Sequence, residues 1–142
     1  MINASRLLLL FCTFTVLLLP ACGGTWIDDE QNFERVFGFD KPQDVQVLQS
    51  YYWKSSHWST EYRYYISIRS SSEFAKGLTT AESVRPSVVE ESALDSCFGN
   101  RPSWFAPKPL NRYEMWVSKV SHSYRVLRDK DEGILYVCDE QL

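Results

Sequence analysis

Residues 61–69 alternate without a break. Tyr62, Tyr64, Ile66 and Ile68 fall on one side, and Glu61, Arg63, Ser67 and Arg69 on the other. A period of two over nine residues predicts a strand with one face on a core and one toward water, which is the pattern of an antiparallel sheet. The preceding stretch, 45–54, is rich in β-branched and aromatic residues and predicts a partner strand with Val45, Val47, Tyr51 and Trp53 on one face. Residues 55–60 supply the turn between them. Three more strands are expected at 113–120, 124–128 and 133–138, the last two joined by a hairpin loop over 129–133 with Gly133 at the position that needs it.

Helical signals are shorter. Asp28, Asp29 and Glu30 precede Phe33, Val36 and Phe37 at i, i+3, i+4, and Gly38 and Pro42 end the run, so a helix is expected over 28–37. Ser70 and Glu73 stand at capping-box spacing with Phe74 and Leu78 behind them, predicting a second helix. Residues 78–103 lack a clear period, apart from a possible helical turn or two over 88–94. In 102–109, three prolines bracket Trp104 and Phe105. Proline donates no ladder bond, so that stretch is read as an irregular rope that plugs an end of the core. The expected fold class is α+β, with about five antiparallel strands and two short helices packed on one face.

The N-terminal segment is of a different kind. Arg6 is followed by an almost unbroken apolar run of 13 residues from Leu7 to Leu19, and then by Pro20, Ala21 and Cys22. Thirteen residues fall short of the roughly 20 that a membrane-spanning helix needs, and match the middle of an export signal. Leu19-Pro20-Ala21-Cys22 resembles the lipobox of bacterial lipoproteins. That resemblance implies diacylation of the Cys22 thiol, cleavage before it, and attachment to the cell envelope. With Gly23 following, it implies the periplasmic side of the outer membrane in a host with two membranes. The whole chain, small and rich in Trp and Tyr, is similar to small envelope lipoproteins of unassigned function. The expected organisation is a signal over 1–21, an anchor and tether over 22–27, and one domain over 28–142.

Removing 21 residues from 142 leaves 121, which suits a single domain able to hold its own core. Arg6 leaves with the signal, so 14 Lys and Arg face 18 Asp and Glu, for a net charge of −4. With no basic cluster, nucleic acid is not an expected partner. Of four cysteines, Cys12 lies in the signal and Cys22 in the lipobox, leaving Cys97 and Cys138. An even pair sent to an oxidising space is expected to form a disulfide, closing a 42-residue loop.

Chemistry-bearing patterns are few. His57 and His122 belong to no metal spacing, no Gly-x-Ser-x-Gly elbow is present, and Asp28-Asp29, Glu90-Glu91 and Asp139-Glu140 fall at element ends. Neither a metal nor a cofactor is expected. What exceeds background is aromatic density, with seven Tyr and Trp among the 26 residues 45–70. Strand alternation sends Tyr52 and Tyr65 away from the first face and Trp58 into the turn, so these three form the candidate binding surface. The expectation is a non-enzymatic, membrane-anchored module that binds an envelope protein, as an inhibitor, immunity-type protein or accessory subunit. Glycan binding by exposed Tyr and Trp is the alternative, and a hydrolase with an unrecognised site the third.

Overall fold

The computed structural model describes residues 23–56, 61–88, 97 and 99–142. The signal segment with Cys22, the turn residues His57 and Trp58, and most of the stretch read as a helical turn lie outside them. Among the described residues, seven strands build one sheet: β1 (Gly24–Ile27), β2 (Gln46–Lys54), β3 (Tyr62–Arg69), β4 (Val84–Ser87), β5 (Tyr113–Ser118), β6 (Arg125–Asp129) and β7 (Leu135–Gln141). Two helices join them, α1 (Asn32–Phe37) and α2 (Ser72–Thr80). The strand order is β1-β2-β3-β7-β6-β5-β4, and every neighbouring pair is antiparallel. Two meanders, β1-β2-β3 and β4-β5-β6-β7, therefore meet at the central β3–β7 ladder. The fold is α+β, as expected, but with seven strands rather than five.

Both additional strands sit at the sheet's edges, where sequence signals are weakest. β1 occupies the segment read as a tether, and β4 lies in the stretch that showed no period. β4 contains Pro86, which an edge strand tolerates because its missing N–H faces no further strand. The first helix is shorter than 28–37 because its acidic residues build a turn instead. Asp28 adopts a left-handed conformation (φ 49°). Its N–H donates to the Ser50 carbonyl (2.9 Å), and its carboxylate accepts the Ser50 N–H (2.8 Å). Gly38 ends α1 with φ 76°, and the Ser71 hydroxyl caps α2 by accepting the Phe74 N–H.

The sheet is buried on both faces. On one face, Tyr64, Ile66 and Ile68 of β3 pack with Val126, Leu135 and Val137 under Phe33 of α1 and Phe74 and Leu78 of α2. On the other, Tyr65, Met115, Leu127, Tyr136 and Cys138 pack under Cys97, Phe105 and Ala106. The rope therefore lies across a face of the sheet rather than at an end. Phe105 meets Tyr65 and Tyr136 edge-on at 5.1 and 5.6 Å between centroids.

Register explains a second departure. β2 carries a bulge between Val47 and Gln49, so Val47 opposes Ile68 while Tyr51 opposes Tyr65. One extra residue flips the alternation beyond it. Val45 and Val47 thus join the helix-covered face, and Tyr51 joins the rope-covered one.

Candidate functional site

At the end of the sheet where β2 finishes and β3 begins, the helix-covered face carries a row of aromatic rings. Trp26 of β1, Tyr52 of β2 and Tyr64 of β3 are cross-strand neighbours, and Tyr62 lies two residues before Tyr64. Tyr52 and Tyr64 are parallel to within 5° at 6.3 Å, and Tyr62 and Tyr64 to within 11° at 6.0 Å. Trp26 leans on Tyr52 at 5.9 Å, and the Arg35 guanidinium sits 4.7 Å from the Trp26 ring centroid. Arg35 is fixed from behind by Asp29 (2.7 Å) and the Asn32 side-chain carbonyl (2.8 Å). Tyr64 is buried, whereas Trp26, Tyr52 and Tyr62 are half-buried.

The row ends on a carboxylate. Tyr62 donates its hydroxyl proton to Asp139 Oδ2 (2.8 Å). Asp139 Oδ1 accepts from Ser121 (3.1 Å), from Ser123 (2.5 Å) and from the Glu140 N–H (3.0 Å). Burial, with the Asp139 bond added, pushes the Tyr62 hydroxyl up to about 12. Burial also raises Tyr124 to about 12 and Tyr64 well above the usual phenol range. At neutral pH these three hydroxyls stay protonated.

Two of the three residues of the candidate binding surface are described. Tyr65 does turn away from Tyr64 and Ile66, but it enters the second core and not solvent, and it is 2 % exposed. Alternation holds there, and the second face has its own cover. Tyr52 lies in the aromatic row, on the same face as Tyr64 because of the bulge. Sequence patterns give Trp26 and Arg35 no role, place Tyr62 on the core face of its strand and put Asp139 at an element end, whereas Asp139 lies within β7 and is 7 % exposed. Trp26 fell in the supposed tether, and the Tyr62–Asp139 bond joins residues 77 positions apart, for which sequence carries no local signal.

Cys97 and Cys138 stand at bonding distance, with Cα atoms 6.2 Å apart, inside the range a disulfide requires. His122 is exposed in the β5–β6 loop. Among the described residues, no group of three or more His, Cys, Asp or Glu side chains is placed to hold a metal ion, and no helix is long and apolar enough to cross a membrane. The fold and its aromatic row define a small α+β protein built on one antiparallel sheet. The chain matches no family model, no curated protein and no solved structure.

Proposed function

We propose that the protein is a membrane-anchored bacterial lipoprotein, held in the envelope by acyl chains on Cys22, and that it acts by binding another envelope protein rather than by catalysis. The observation that carries the anchoring is Leu19-Pro20-Ala21-Cys22 behind a 13-residue apolar run.

The aromatic row supports a protein partner over a glycan. Sugars stack on the flat faces of exposed rings. Here Tyr64 is buried, Trp26, Tyr52 and Tyr62 are only half-open, and the Arg35 guanidinium already sits 4.7 Å from the Trp26 ring centroid. Half-open Tyr and Trp rings beside a guanidinium and a carboxylate suit the mixed polar and apolar contacts of a protein interface. Arg35 and Trp26 extend that surface onto β1, an edge strand.

The test pairs two measurements on the full chain in its host. An alkyne fatty-acid probe is expected to label the native protein and to leave Cys22→Ala unlabelled and uncleaved; equal label in both would refute the anchoring. A photo-crosslinking residue at Tyr52 is expected to trap one envelope protein that the same residue at Lys130, on the far hairpin, does not trap. Cross-linking to peptidoglycan alone would favour the glycan reading, and identical products from both positions would remove the row as a binding surface.

A further inference from the structure

Gly23 is locked into the fold. A Cβ placed on it would fall 2.2 Å from the Ser56 nitrogen and 2.4 Å from the Ser55 carbonyl carbon, so the backbone of residue 23 is pressed against the strand end after Lys54. Gly24 is already paired with Lys54 in the β1–β2 ladder. One peptide unit, about 3.8 Å between Cα atoms, separates Cys22 from Gly23. No flexible tether intervenes.

That junction marks one end of the sheet. The antiparallel register brings to it the start of β1, the end of β2, the start of β3, the end of β7 and the β5–β6 loop. The loop is tied to β7 through Ser123, whose hydroxyl bonds both Asp139 and the Glu140 carbonyl. Two large apolar side chains stand exposed there, Val120 at 83 % and Leu142 at 70 %. Among the described residues around them, Lys54 and Lys119 are balanced by Glu61 and Glu82, and Arg63 is paired with Glu140 (2.7 Å). The charged hairpin of Lys130, Asp131 and Glu132 lies at the opposite end, about 23 Å away by the length of the seven-residue β7.

We infer that this end of the sheet rests directly on the bilayer surface, with Val120 and Leu142 in contact with the headgroup region, so that the domain stands in a fixed orientation. The inference rests on the acylation of Cys22 proposed above. Its occupant is a lipid surface because Gly23, fixed at this end of the sheet, is one peptide unit from the residue that acylation would anchor. The contact is apolar, since the surrounding charges balance. It therefore forms on neutral lipid and persists in salt.

The experiment uses the acylated protein purified from membranes and placed in phosphatidylcholine nanodiscs doped with a gadolinium-headgroup lipid. Amides of Lys119, Val120, Ser121 and Leu142 are expected to broaden several-fold more than those of Lys130, Asp131 and Glu132, equally at low and high salt. In Val120→Asp, the broadening of the β5–β6 loop is expected to fall while the folded spectrum persists. Uniform broadening of both ends, stronger broadening of the hairpin, or no change in Val120→Asp would overturn the orientation while leaving the anchor intact. Absence of a diacylglyceryl mass on Cys22 would overturn both readings.

Discussion

Tyr65 is the residue at which pattern and packing part company. Its strand alternates cleanly, and its own face carries Arg63 and Ser67, which read as solvated. In the fold, Ser67 is buried and bonded across the bulge to Gln49 (3.1 Å), and Arg63 is paired with Glu140. Polar residues matched across strands thus conceal a second core, and nothing local in the sequence announces their partners. Burial raises the Tyr65 hydroxyl to about 12, so the ring stays neutral among Tyr51, Phe105 and Tyr136. Tyr65→Ala is expected to cost about 3–5 kcal/mol in chemical denaturation, the range for losing a buried aromatic, and a cost below 1 kcal/mol would contradict the burial. Asp129 gives a pH prediction at the same scale. Burial alone would raise its carboxyl, but Lys108 at 2.7 Å and the N–H groups of Glu132 and Asp131 outweigh burial and hold it below the usual carboxylate range. A depressed folded pKa means that the stabilisation is present above the unfolded value, near pH 4, and disappears as the pH falls through the folded one. The fall in urea midpoint between about pH 4 and pH 2 is therefore expected to be shallower in Asp129→Asn than in the native chain.

Among the elements, those with strong local chemistry were legible. β3 and α2 carry their own periodicity and cap, and Gly38 and Gly133 take the left-handed conformations their turns require. β1 and β4 were not legible, because four-residue edge strands owe their structure to β2 and β5 and contain too few residues to show a period. β1 depends on Gly23, and this gives an element-scale prediction. In Gly23→Ala, the new methyl meets backbone rather than a pliable side chain, so β1 must move. Hydrogen exchange at Gly24–Ile27 and at the facing residues of β2 is expected to accelerate, while acylation of Cys22 continues. Unchanged protection would contradict the close approach. The Cys97–Cys138 link pins the rope side of the sheet to β7. Reduction is expected to destabilise the domain by up to about 4 kcal/mol on the chain-entropy estimate for a loop of this length, and an unchanged melting temperature after reduction would contradict a stabilising bond.

At the scale of the whole molecule, one sheet is covered by two helices on one face and by an irregular rope on the other, so a chain of this length holds two cores with little flat surface left over. What remains half-open is the aromatic row at the end of the sheet next to Gly23, close to the place where the chain would meet its anchor. Binding surface and anchor would then lie at the same end, which suits a module that meets its partner near the membrane. All of this depends on Cys22. Intact mass spectrometry of the protein extracted from host membranes tests it most directly. The expected species begins at Cys22 and carries a diacylglyceryl group on the Cys22 sulfur; a chain that retains residues 1–21, or one with a free Cys22 thiol, would contradict it.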